Sequence, residues 1–300
     1  LIWNLFASIC YKTRRGKLHP TDRPIQLAGL SHRFGSNNGM NPLRYPSRAG
    51  ALLVGILFMT ALADRAIAET PPSSAADWMV VTEIFQGDDA TPVEAHEIAL
   101  RGGVYYDFPT APDQPWTIFD LPRSRIILLD RQRELRTSVP IEDLIHLAAR
   151  AEAEVTDAVH RKRFGMDAVP TQTGDLRFAL EYEGTQYEVT GRRFDDTAIA
   201  IQYGRFVDWA CRLNIARPRG VPPFARIKLN ELMIRNNALP KRTLVTLTRR
   251  IGSEGVPAKI RLRSATSVPA EISAGLADRI KDAQTMRVVF QDIPWDQYEH

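Results

Sequence analysis

Arg125-Ile126-Ile127-Leu128-Leu129-Asp130, preceded across a short turn by Trp116-Thr117-Ile118-Phe119-Asp120, puts unbroken apolar runs between charged ends. Successive side chains of a strand point to opposite faces, so a strand that is apolar at both parities must be covered on both sides. Trp78 to Gln86 reads the same way, with Trp78, Val80 and Ile84 on one parity and Met79, Val81 and Phe85 on the other. Such strands need a helix, or a curled second sheet, over each face.

Working outward, Trp78–Gln86, Val93–Asp107, Trp116–Asp120, Arg125–Asp130 and Glu134–Thr137 are rich in β-formers and separated by turn residues. This predicts an antiparallel meander. The spacing of apolar residues then predicts a helix over 141–163, entered through Pro140 and closed by Gly165. A hairpin about Glu183-Gly184-Thr185 and a helix over 197–214 follow, and Pro222-Pro223 opens a shorter helix to Arg235. Thr243–Ile251 and Lys259–Ser264 pair around Gly252–Gly255. A last helix starts at Glu271 or Ser273 and runs to about Gln284, and Arg287–His300 adds one strand. The fold class is α+β: one antiparallel sheet carrying three to four helices, in a single domain over 78–300.

The chain of 300 residues has a formal charge of +4, but its N-terminal part reads as a removable leader. Residues 49–63 are uncharged and apolar, Arg44 and Arg48 precede them, and Ala66-Ile67-Ala68 forms a small-residue cleavage site. Asp64 and Arg65 interrupt the run before the roughly 20 residues a membrane span needs. Signal residues 40–68, cut after Ala68, with translation from Met40, leave 1–39 as upstream sequence and 69–77 as a disordered leader. The expected location is the periplasm or the cell exterior, with membrane contact only through the signal peptide. Glu69 follows the cut, so a lipoprotein's cysteine is missing there.

Removing 68 residues leaves 232, with 30 Lys and Arg against 33 Asp and Glu. A net negative charge removes the counterion-release drive that nucleic-acid binding needs. Cys211 is the lone cysteine of that part, excludes an internal disulfide, and reads as a small buried hydrophobe.

Catalytic signatures are near misses. His96-Glu97-Ile98-Ala99-Leu100 begins like a zinc-protease helix, but Leu100 stands where the second histidine belongs. Gly252-Ser253-Glu254-Gly255 reads as a turn and not as a nucleophile elbow. No catalytic residue, metal site or cofactor is assigned. The candidate ligand-binding residues are His96, Tyr105, Tyr106, Trp116, Lys259, Arg261 and Arg263. His96 shares parity with Ile98 and Leu100, so it faces inward as a base, a ligand-orienting group or a hydrogen-bonded strand histidine. Tyr105, Tyr106 and Trp116 cluster near strand ends as core or as a ligand box. Lys259, Arg261 and Arg263 form a row of cations on one strand face, suited to phosphate headgroups or to solvent. Asp120 and Asp130 flank a turn, as an acid–base pair or as acceptors of local backbone N–H groups. Asp208 and Arg212 have the spacing of a helical ion pair.

The succession Trp116–Asp120, a basic turn, Arg125–Asp130 and Arg131–Thr137 resembles the strand pair of the LolA-like outer-membrane lipoprotein carriers. The resemblance covers about Trp78–Arg163. It implies an open, curved antiparallel half-barrel with helices on its concave side and an apolar cavity for acyl chains. The expected function is an exported carrier or binding protein for a lipid or other apolar ligand. The alternatives are a cell-envelope hydrolase with converging titratable groups and a protein-interaction module.

Overall fold

The computed structural model describes residues 77–194, 196–216, 223–251, 256–269 and 272–298. The expected signal peptide, the stretch 1–39, nearly all of the leader and the turn at 252–255 lie outside these residues.

A meander opens the domain. β1 (Trp78–Gln86), β2 (Glu94–Arg101), β3 (Val104–Pro109), β4 (Trp116–Asp120), β5 (Arg125–Asp130) and β6 (Leu135–Pro140) pair antiparallel in chain order. The strand expected over 93–107 is thus a hairpin. Gly102 and Gly103 both have positive φ, 57° and 79°, which the two-residue type I′ turn requires and which glycine adopts without strain. Apolar residues on both sides of the glycine pair hid the turn.

The register explains the two-sided apolar pattern. Trp78, Leu100, Tyr105, Phe119, Ile126 and Val139 stand in one cross-strand row on one face. Met79, Ala99, Tyr106, Ile118 and Ile127 form the matching row on the other. Each row is buried in its own core cluster.

The predicted helix over 141–163 is two, α1 (Ile141–Glu154) and α2 (Ala158–Arg163). Asp157 restarts the helix by accepting from the Val159 and His160 backbone N–H groups at 3.0 and 2.9 Å. An N-cap aspartate is more stable there than as a mid-helix residue. The chain continues through β7 (Thr171–Gly174), β8 (Arg177–Tyr182), β9 (Thr185–Arg193), α3 (Thr197–Leu213), α4 (Phe224–Arg235), β10 (Ala238–Ile251) and β11 (Val256–Ser267). β11 pairs with β1, so the twelve strands of the described residues form one open sheet in the order 12-6-5-4-3-2-1-11-10-9-8-7. After β11 comes α5 (Ala274–Val289), then a two-residue β12 (Gln291–Asp292) parallel to β6 and the short α6 (Trp295–Tyr298).

The described residues therefore hold six α-helices where three to four were expected. α2 is the detached end of the first, and α6 stands inside the region predicted as a strand.

Leu276, Ile280 and Ala283 of α5 cover one face of β1–β5. On the opposite face, Tyr203, Phe206, Val207 and Cys211 of α3 pack on the β1–β6 cluster, while Ala225, Leu229 and Met233 of α4 pack on β8–β11. Burying each large apolar side chain contributes about 1.5–3 kcal/mol.

α3 and α4 meet closely at Gly204, where an added Cβ would run into Ile234 Cδ1 and Cγ1. Asn230 ties them by donating to Gly204 O at 2.9 Å and to Asp208 Oδ1 at 2.7 Å. Gly204→Val is expected to destabilise the protein by about 1–3 kcal/mol through overpacking. A urea midpoint within error of wild type would show that Ile234 simply moves aside.

Candidate functional site

Polar residues interrupt the apolar face under α3 and α4. On β1 and β2 the inward parity gives Val80, Thr82 and Ile84, and Glu94, His96 and Ile98. Thr82 stands opposite His96 on one side and Thr266 of β11 on the other, while Ser264 stands between Ile84 and Thr243 of β10. The result is a strip of acids, hydroxyls and one histidine between two apolar clusters.

His96 is 1% exposed and both its ring nitrogens face carboxylates. Nδ1 lies 2.7 Å from Asp107 Oδ1, and Nε2 contacts Glu94 Oε1. Burial disfavours a charged ring, but attraction and hydrogen bonding by Asp107 and Glu94 outweigh it and hold the His96 pKa above 6.5. In its protonated form the ring donates to both acids. This arrangement leaves no ring nitrogen to activate a nucleophile. The two acids sit on opposite sides of the ring, and among the described residues no group of three or more His, Cys, Asp or Glu could hold a metal ion.

Because the folded state binds this proton more tightly than the unfolded chain, the contribution of His96 to stability is complete below about pH 6.5. It is lost as the pH rises through the raised folded-state value. Urea midpoints should therefore fall as the pH is raised above neutrality, and His96→Gln should remove that part of the slope. An identical slope in the variant would assign it to other groups.

Beside the strip lies a cavity of about 50 Å³. Thr82, Thr243, Ser264 and Thr266 line its sheet side; Tyr203, Val207, Ala210 and Cys211 of α3 and Arg226 of α4 line its helix side. Arg226 is 9% exposed and its Nη1 has no hydrogen-bond partner. Burial pushes the Cys211 thiol up to about 11, so it stands there as a neutral thiol. The Tyr203 hydroxyl is likewise raised, by burial, against the favourable charge of Arg226 and hydrogen bonding from Thr82 and Thr266.

The residues singled out in the sequence do not converge. Tyr105 packs under α3, whereas Tyr106 and Trp116 lie in the α5-covered cluster on the other face. Lys259 and Arg261 are exposed. Arg261 Nη1 is 3.5 Å from Asp88 Oδ2, and Arg263 lies over the Phe85 ring at 4.0 Å. Asp130 accepts from the Gln132 and Arg133 backbone N–H groups at 2.9 Å each, as a turn aspartate does. Asp120 differs: it is fully buried and faces Arg123, Arg125 and Arg287. Asp208 bonds to Asn230, while Arg212 lies over the Trp209 ring at 5.2 Å.

Sequence reasoning missed Thr82, Tyr203, Arg226, Thr243, Ser264 and Thr266. The available signal was polar residues at buried parity: Arg226 and Asn230 fall on the same side of α4 as Met233, and Ser264 and Thr266 share parity with Leu262.

No known protein family matches the chain, and no curated protein matches it either.

Proposed function

We propose that this protein is an exported binding protein without catalytic activity, and that its ligand sits in the cavity between the sheet and helices α3 and α4. The observation that carries this reading is the cavity itself. It lies in the middle of the sheet, where β1 joins β11, and polar side chains from three strands and two helices converge on it. Concave sites with a few convergent polar groups are the usual form of small-molecule pockets.

The half-barrel arrangement belongs to the same proposal. α3 packs on the β1–β6 cluster and also meets Leu239 of β10, so one helix serves both halves of the open sheet. Within this arrangement the apolar side chains of α3 and α4 occupy the face that an acyl chain would fill. The ligand is therefore small and partly polar, unlike the lipid of the carriers the strands resemble. Against the hydrolase alternative, both His96 nitrogens are engaged by Asp107 and Glu94, so this histidine is not placed to act as its general base.

Expression of the whole chain in a bacterium, followed by fractionation and native mass spectrometry, tests both parts. The expected product is periplasmic, begins at Glu69, and releases a small ligand on denaturation or binds one in a thermal-shift screen. A cytoplasmic product retaining residues 1–68 would overturn export. Binding unchanged by the cavity-filling Ala210→Leu would overturn the site.

A further inference from the structure

We infer that the ligand of this cavity is a small organic carboxylate, held through Arg226. This rests on the cavity being the binding site and adds the chemistry of what enters it. A guanidinium removed from water is costly unless it is paired and hydrogen-bonded. Arg226 is nine-tenths buried, its Nη1 lacks a partner, and it forms no ion pair among the described residues. Asp208, the nearby acid whose titration senses the Arg226 charge, is engaged by Asn230 instead.

Among the described residues the cavity wall contains no Asp or Glu. The rest of its polar lining is hydroxyls: those of Thr82, Thr266 and Tyr203 bond among themselves, and those of Thr243 and Ser264 can rotate to donate to an acceptor. A planar carboxylate answers the guanidinium fork with up to two charge-assisted hydrogen bonds. Arg226 is the one cation among the described lining residues, which suits a monoanion better than a dianionic phosphate. Val207, Ala210, Cys211 and Pro240 supply the rest of the wall and accept a short apolar remainder. The volume of about 50 Å³ limits the whole ligand, carboxylate included, to a few heavy atoms.

Titration calorimetry of the purified protein with propionate, propionamide and inorganic phosphate tests this. The amide matches the acid in shape and lacks only its charge. Propionate is expected to bind at least tenfold more tightly than propionamide, and Arg226→Met to abolish that preference while circular dichroism stays native. Should Arg226→Met fail to fold, Ala210→Leu serves as the second variant and is expected to block propionate. Equal binding of acid and amide would overturn the carboxylate while leaving the cavity as a binding site. Preference for phosphate would replace it with an inorganic oxyanion. No binding by any of the three, or binding that Ala210→Leu leaves intact, would remove the carboxylate and the cavity reading together.

Discussion

His96→Ala is expected to cost about 3–5 kcal/mol of folding stability, the range seen when one partner of a buried ion pair is removed. The deletion takes away the ring that contacts both Asp107 and the Glu94 carboxylate, and the Glu94 side chain is almost wholly buried. Glu94 Oε2 already has no hydrogen-bond partner, so little remains to compensate a carboxylate left buried and unpaired. For a domain of this size that loss lowers the melting temperature by roughly 6–20 °C. The companion variant carries His96→Leu, Glu94→Gln and Asp107→Asn together. It should recover at least half of the loss, because no ionised group is then left buried without its counter-charge. Urea midpoints at constant slope measure both. A single-variant cost under about 1 kcal/mol would mean that water reaches the two acids and that the triad is not a sealed unit.

The triad also shows why the site was less legible than the fold. His96 and Asp107 are eleven residues apart. Read as one continuous strand, they would stand roughly 36 Å from each other. The Gly102-Gly103 turn folds that strand back on itself and brings the two side chains to 2.7 Å. One misread turn was enough to hide the contact. Arg226 depends on longer routes still, since it faces hydroxyls from β1, β10 and β11 only after the second meander has returned to pair with the first. Side-chain parity along a single strand carries no information about such register.

What parity does carry came through. Strands apolar on both sides, β1 and β5, are the ones covered by α3 on one face and α5 on the other. In β8 and β9, Phe178, Leu180, Tyr187 and Val189 alternate with Arg177, Glu181, Gln186 and Glu188, and only their apolar face is buried under α4. The helix spacing over 197–214 likewise matches the observed α3, in which Tyr203, Phe206 and Leu213 are buried. It failed at 155–157, where local capping by Asp157 outweighed a stripe that runs on through Val159, a residue left exposed.

Phe206→Ala should match the His96 variant in magnitude by a different route, at about 3–5 kcal/mol for truncating a fully buried aromatic. Phe206 has no solvent exposure and meets Phe119 edge-on, with ring centroids 5.2 Å apart and planes at 74°. Tyr105 and Tyr203 flank it at 5.9 and 6.1 Å. It is the contact through which α3 grips the cross-strand row of β3 and β4. Tyr203, Val207 and Ala210 of the cavity wall lie within about one turn of it, so loosening this anchor displaces the wall as well. Two readouts separate global from local failure. If α3 and the sheet unfold as one unit, amide exchange throughout the core accelerates together and the urea midpoint falls by the full amount. If α3 detaches alone, its amides exchange faster while those of β4 and β5 keep their protection, and propionate binding is lost before the fold is. The continuous packing of α3 on β1–β6 favours the first outcome, and preserved binding with a lowered midpoint would show that the cavity wall does not depend on this anchor.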